Sequence, residues 1–480
     1  MTEAAMKRTQ ALADKAERVF PGLVIDKRRL PASQLQKRGI PAYVGEWMLD
    51  MVVPGQGIMT PAELEKVTMF SEKLVKTPRD QHVVRNELHE GKTVKVLTPV
   101  QVEVKIKDKR THRYAKLSLL GIDEAQISSE IIDANEDLLR QGMWGIIELT
   151  VLEQGITVLS FRPMQASVDL ELYKQARREF SLEEWRQLIL ISMGYAPEAY
   201  SYDEQMLLLA RLLPLVQKNT HMMELAPKAT GKSYLFENIS PRVRLVSGGN
   251  ISPAVLFVNN ASGQWGLLAR FATVVLDEVQ TLRFEKPEEI VGGLKGYLAN
   301  GTLTRGGLHE TSSDCSLVLL ANIMLDDRQN PLAGDDIVGE LPAFLQETAL
   351  LDRFRGIIPG WQIRKLGPDC FANTVGLKAD FFGDALIALR GDLSHDQLCA
   401  ARVRLEGVRQ YTRNSQSVQA LASGMAKILF PHGEITDDEL LRYCVEPAVR
   451  LRQLVWNQLY RLDAEYRQYD QELIGTVSSH

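Results

Sequence analysis

THMMELAPKATGKSYLFENI, residues 220–239, decides how the rest of this chain is read. An apolar run, Thr220–Leu225, leads into a turn of small residues and then a helical stretch, Lys232–Ile239. Ala226, Pro227, Lys228, Ala229, Thr230, Gly231, Lys232 and Ser233 thus lie between a strand and a helix, the place of a phosphate-binding loop. Small residues let backbone N–H groups close around phosphates, and the helix turns its positive end toward them. Lys232 is expected to reach the β- and γ-phosphates of a nucleotide, with the Ser233 hydroxyl on Mg2+. Ala226 departs from the GxxxxGK[ST] pattern, where glycine stands first. Alanine adds only a methyl, so binding should survive.

Three later segments supply the remaining chemistry. Ala272–Glu278 reads as a strand ending in two acids, of which Asp277 would order Mg2+ and Glu278 would polarise an attacking water. Ser316–Asn322 is a further apolar strand. By residue type alone Asn322 opens a loop, but its order after the acidic strand favours a role in orienting that water. Leu350–Gly356 holds Arg353 and Arg355, either of which could neutralise γ-phosphate charge on a neighbouring subunit. A surface ion pair with Asp352 or Glu347 is the competing reading for Arg353. Arg413 is a further candidate on the lid side. Strands Thr220–Leu225, Ala272–Leu276 and Ser316–Ala321 alternate with helices Lys232–Ile239 and Pro287–Ala299, which predicts a parallel sheet with crossover helices.

Upstream, residues 1–75 read as helices broken by Pro/Gly pairs, with Thr60 capping a helix that has Pro61 first and Glu63 three residues on. From Thr93 the period falls to two, and Trp144–Leu152 with Gly155–Phe161 forms a hairpin; residues 76–168 are expected to make a small barrel or sandwich. Within it Lys105, Lys107, Lys109, Arg110, His112, Arg113 and Lys116 cluster on two strands and their turn. Lys105, Lys107 and Lys109 should share a face and contact DNA phosphates, the alternative being a charged edge that discourages sheet pairing. Arg305, in a turn-rich hairpin candidate at 300–307, is a second DNA contact. After Gly360 the chain reads as helical, with amphipathic stretches at Ser417–Leu429 and Asp437–Asp463 and a polar tail, Gln471–His480.

Composition sets the outer limits. With 45% hydrophobic and 24% charged residues over 480 positions, the chain is neither disordered nor fibrous. Lys and Arg number 56 against 61 Asp and Glu, so whole-chain charge does not point to nucleic acid, although local patches can. Cys315, Cys370, Cys399 and Cys444 are far apart and lack CxxC spacing, and the histidines show no metal-ligand spacing. No apolar run approaches the ~18 residues of a membrane span, and the first twenty residues lack a signal-peptide core. A reducing cytoplasm is the expected location, with no membrane partner.

Phosphate loop, acidic strand, asparagine-ended strand, late arginine and helical lid, in that order, resemble the AAA+ ATPases. Longer matches narrow the resemblance: Ala226–Ser233 with Ser240-Pro241 and Leu245–Gly249, Leu276–Val279, Gly296–Gly301 with Thr304–Gly306, and Ala422–Gly424 with Leu429–Glu434. These are similar to the BrxL family, the Lon-like AAA+ proteins of bacteriophage-exclusion (BREX) systems. The resemblance implies an α/β fold in which a P-loop AAA+ ATPase core (169–360) carries a helical lid and C-terminal helices (361–480). A helical segment (1–75) and a small OB-like, DNA-binding domain (76–168) would precede it. It further implies ATP and Mg2+ as cofactors, ATP hydrolysis, and a hexameric or double-hexameric ring. Double-stranded DNA and other BREX proteins would be partners in antiphage defence. Leu351–Phe354 resembles the arginine-finger segment of related helicases, which favours Arg353 over Arg355. Longer family members continue into a Lon-protease-like domain; no serine–lysine pair can be placed here, so protease activity is not expected. A nucleotide-switched DNA-binding scaffold with little turnover and an ATP-driven protein unfoldase are the alternative functions, and the intact Glu278 argues against the first.

Overall fold

The computed structural model describes residues 3–107, 110–153, 155–164, 168–259, 264–305 and 309–478. It opens on the helix Glu3–Val19, whose Leu12, Ala13 and Ala16 recur at helical spacing and are buried. This helix and Phe20 pack against distant residues: Phe20 sits among the rings of Tyr173, Phe180, Trp185 and Phe381. Strand β1 (Val24–Asp26) then pairs antiparallel with Val375–Leu377. The helix Pro61–Leu74 begins as its sequence predicts: the Thr60 side chain accepts from the Glu63 N–H, and the Glu63 carboxylate accepts from the Thr60 N–H at 2.7 Å.

Strands β2 (Val94–Lys107), β3 (Arg110–Leu117), β4 (Ile122–Gln126), β5 (Met143–Leu152) and β6 (Gly155–Pro163) close into a barrel in the order β2-β3-β4-β6-β5. Closure comes from an antiparallel β2–β5 ladder and a parallel β4–β6 contact. Alternation fills the interior: Val94, Val96, Val100 and Val102 meet Ala115, Leu117, Ile147, Leu149 and Val158. The barrel leans on the following domain through Arg242, whose guanidinium donates to Asp137 at 2.7 Å.

After the helices Leu170–Arg177, Leu182–Ser192 and Tyr202–Ala210, the chain builds a five-stranded sheet. Its strands are β7 (Met222–Ala226), β8 (Val243–Ser247), β9 (Thr273–Asp277), then, beyond the antiparallel hairpin β10 (Thr302–Arg305) and β11 (His309–Ser312), β12 (Ser316–Asn322) and β13 (Gly356–Pro359). The order is β13-β7-β12-β9-β8, with every pairing parallel. Alternate residues feed two cores: Met222, Val275, Val318, Leu320 and Ile358 on one face, Met223, Leu225, Val274, Leu276, Leu319 and Ile357 on the other. Burial on both faces is why these strands read as unbroken apolar runs.

The stretch after residue 360, expected to be helical, also contains three short strands. They are β14 (Val375–Leu377), which takes β1; β15 (Val403–Glu406); and β16 (Ile474–Val477), which pairs antiparallel with β15. The expected polar tail therefore folds back to complete a separate two-stranded sheet with β15, with Gly475 against Val445 and Val449, where a side chain would clash. Helices Thr412–Leu429 and Glu446–Leu462 carry the predicted apolar stripes. Among the described residues all four cysteines are free and buried, no group of three His, Cys, Asp or Glu could hold a metal ion, and no helix is long and apolar enough to cross a membrane.

Candidate nucleotide-binding site

Parallel strands bring their carboxyl ends to one edge, where open α/β sheets bind ligands. Here β12 lies between β7 and β9, with Asn322 level with Ala226, so the ends of the three strands meet. The chain leaves β7 at buried Ala226 and Pro227, exposes Lys228 and Ala229, buries Thr230, and enters the helix Lys232–Asn238. Ala229 and Gly231 both have positive φ, +67° and +75°. Glycine adopts that conformation freely, whereas alanine at 229 carries a strain of about 1 kcal/mol.

Lys232 is 6% exposed, and its Nζ donates to Asn322 Oδ1 at 2.7 Å. Burial pulls its pKa below the usual lysine value, against the opposing fields of Glu224 and Asp277. Asn322 in turn donates through Nδ2 to Glu278 Oε1 at 3.4 Å, and the Glu278 N–H donates to Asp277 Oδ1 at 2.8 Å. Glu278 has φ +48°, a turn that sets its carboxylate beside Asn322 instead of continuing the strand. The structure thus joins Lys232, Asp277, Glu278 and Asn322 in one hydrogen-bonded chain. Ser233 is the next residue of the loop helix, half-buried. A buried ammonium, a loop of small residues at a helix start, and the hard oxygens of Ser233 and Asp277 fit nucleotide phosphates with Mg2+.

Gln280 was not singled out by the sequence. Its Oε1 accepts from the Asn322 N–H at 3.3 Å while its Nε2 donates to the Asn322 carbonyl. This two-point pairing, side chain to backbone, fixes the end of β12. Nothing in residue spacing marks Gln280; only the adjacency of β9 and β12 does.

The arginines lie elsewhere. Arg353 is half-buried and donates to the carbonyls of Lys295 (2.8 Å) and Ala349. The competing ion pair with Asp352 or Glu347 is not formed, because Glu347 pairs with Lys295 and Asp352 is taken by Arg413 and Arg452. Arg413 shares Asp352 with the Tyr411 hydroxyl, and neither Arg353 nor Arg413 has a hydrogen-bond or ion-pair partner in the phosphate loop among the described residues. Burial, reinforced by Arg452 and Arg413, pulls Arg355 down to about 10.

The basic cluster divides. Cross-strand partners share a face, and the register pairs Lys105 with His112 but Val104 with Arg113. Lys105 and exposed Arg113 therefore point to opposite sides of the β2–β3 ribbon. Lys105 donates to Glu124 at 2.7 Å and stands over the Tyr114 ring, while Lys116 lies 3.9 Å from Glu103. Lys109 and the side chains of Lys107, Arg110 and Arg305 lie outside the described residues.

Two family descriptions match the chain: "BREX system Lon protease-like protein BrxL N-terminal" over residues 18–151, and "Lon-like protease BrxL-like, ATPase domain" over residues 156–472. Two proteins named Lon-like protease BrxL are similar in sequence. That of Escherichia coli O9:H4 (strain HS) is 29% identical over 451 residues, covering 92% of this chain and 64% of the relative. That of Bacillus cereus (strain H3081.97) is 30% identical over 440 residues, covering 89% and 64%. The chain thus spans a little under two thirds of the length of either relative. Among solved structures, a full-length MCM homolog from Methanopyrus kandleri aligns over 88% of this chain and 100% of its own at 15% identity. Its TM-score of 0.39 is too low to carry a conclusion.

Proposed function

The chain belongs to the BrxL family, with that family's ATPase domain, and from this premise we propose that it hydrolyses ATP as a self-associated AAA+ ring on double-stranded DNA in BREX-type antiphage defence. The observation that carries the reading is the chain of contacts from Lys232 through Asn322 to Glu278 at the ends of neighbouring parallel strands. Bound ATP with Mg2+ would supply the phosphoryl group and its electrophilic phosphorus. Lys232 exchanges its Asn322 partner for phosphate oxygens and neutralises their charge. Asp277 and Ser233 would hold the metal. The Asn322 side-chain amide, freed from Lys232 and carried on a backbone that Gln280 fixes, orients a water toward the Glu278 carboxylate, which accepts its proton.

Sheet order β13-β7-β12-β9-β8, with the loop on the second strand and the acids two strands away, supports the AAA+ reading. A closed five-stranded barrel with one parallel contact supports an oligonucleotide-binding domain, and on its β2–β3 hairpin exposed Arg113 on one side, and Lys105 on the other if it gives up Glu124, would meet phosphates. Arg353 would serve a neighbouring subunit, giving up its carbonyl partners on assembly.

Glu278→Gln tests the assignment. ATP affinity should stay within about twofold while turnover falls by about 10²–10⁴, the range of a lost general base. Turnover at the unmodified rate would reject Glu278 as the base. Stimulation of turnover by duplex DNA is expected; stimulation by unfolded protein instead would favour an unfoldase.

A further inference from the structure

We propose that the phosphate loop is held in its anion-binding shape from outside, by donors from three separate segments acting on three consecutive carbonyls, with Arg211 as the central positioning residue. The proposal rests on the nucleotide reading of this loop. The Ala229 carbonyl accepts from the Leu366 N–H at 2.8 Å, the Thr230 carbonyl from Arg211 Nη2 at 3.1 Å, and the Gly231 carbonyl from the Tyr195 hydroxyl at 3.3 Å.

Arg211 is itself fixed. Its Nε and Nη2 donate to the two Glu224 oxygens at 3.0 and 2.6 Å, and its Nη1 donates to the Tyr195 hydroxyl at 3.0 Å. Arg211 is fully buried, and Glu224 is 1% exposed on β7, two residues before the loop begins. Carbonyls tied toward the protein leave the loop's N–H groups to face the phosphates, which is how successive amides form an anion-binding concavity.

The sequence explains the need. Ala229 holds a backbone conformation that glycine would adopt without strain. External donors do here what glycine does elsewhere. Nor does stability account for the pair, since a buried arginine–glutamate pair is on average no more stabilising than apolar residues of the same size. Its orientation toward Thr230 is what an apolar pair would lose.

The decisive variant is Arg211→Met with Glu224→Met, which removes the donor without stranding a charge; Tyr195→Phe is a milder second. MgATP affinity, steady-state kinetics and melting temperature are measured on each. For the double variant KM and Kd for ATP should rise about tenfold with kcat within about threefold, the pattern of lost phosphate binding shared by ground and transition states. Tyr195→Phe should raise Kd about threefold. Adding Ala229→Gly to the double variant should recover most of the affinity, a rescue that no general loss of packing would permit. Unchanged Kd in a folded double variant, a fall in kcat alone, or no rescue by Ala229→Gly would each overturn the proposal. If the unmodified protein binds no MgATP, the nucleotide reading falls by itself. The clamp is then judged by amide exchange at residues 229–233, which should quicken about tenfold in the double variant; unchanged exchange would overturn it.

Discussion

Asp352 offers the sharpest quantitative test, because it joins the arginine-bearing segment to the C-terminal helices. It is 1% exposed and accepts from Arg452 Nη2 and the Tyr411 hydroxyl, both at 2.7 Å, and from Arg413. Asp352→Asn keeps the shape and removes the charge. Arg452, fully buried, then loses its counter-ion, a change that ordinarily costs about 3–5 kcal/mol. Its Nε still reaches Asn414 Oδ1 at 2.8 Å, and its Nη1 the Phe354 carbonyl at 2.7 Å, which argues for the low end, about 3 kcal/mol. Arg413, with 36% of its side chain exposed, adds at most about 1 kcal/mol. With a urea slope of about 3 kcal/mol/M, the unfolding midpoint of the domain should fall by about 1 M. Combining Asp352→Asn with Arg452→Met should restore much of that loss, since no buried charge remains unpaired. A midpoint shift below about 0.3 M for Asp352→Asn would refute the reasoning.

Three further outcomes are expected. His221 is fully buried with Nδ1 accepting from the Leu317 N–H, and burial, together with Arg355 and Arg390, pushes its pKa down to about 3. The unfolded chain takes up a proton near pH 6.5 and the folded one does not, so this contribution is present above pH 6.5 and lost as pH falls; it amounts to about 2 kcal/mol by pH 5. Urea titrations of His221→Asn should show a shallower acid slope by that amount, and an identical slope would count against a neutral buried imidazole. Lys105→Glu with Arg113→Glu should weaken duplex-DNA binding and reduce its salt dependence by about one to two phosphate contacts; undiminished binding by fluorescence anisotropy would favour a merely charged hairpin edge. Arg353→Ala should keep ATP binding but lower hydrolysis by about 10³, and mixing it with Glu278→Gln protein should regain activity at mixed interfaces. No recovery in the mixture would reject action between subunits.

What the sequence makes legible here is chemistry tied to local spacing. Ala226–Ser233, Leu276–Glu278 and the apolar run before Asn322 can each be read without knowing the fold, and so can the alternation of Val94, Val96, Val100 and Val102. Elements defined by distant partners cannot. Gly356–Pro359 contributes an edge strand of four residues bounded by glycine and proline, which reads as a turn. Ile474–Val477 becomes a strand only because Val403–Glu406 lies alongside. Arg211 and Glu224 sit in different elements, and their pairing at 2.6 Å leaves no periodic trace. Gln280 reaches Asn322 across 42 residues, and the split of Lys105 from Arg113 follows from strand register, which charge counting does not contain.

The docking of the first helix onto residues near 381 and the pairing of β1 with β14 also impose a timetable on synthesis. Leu12, Ala16 and Phe20 leave the ribosome about 350 residues before Phe381 and Val375–Leu377. At about 5–20 residues per second, the apolar stripe meets Tyr173, Phe180 and Trp185 after about 8–30 s but waits about 20–70 s for these last partners. During that interval the helix is covered on one side at most, while the barrel behind it can already have closed. Swapping of this segment between nascent chains is therefore a characteristic hazard of the fold, and crowded polysomes would be where it arises.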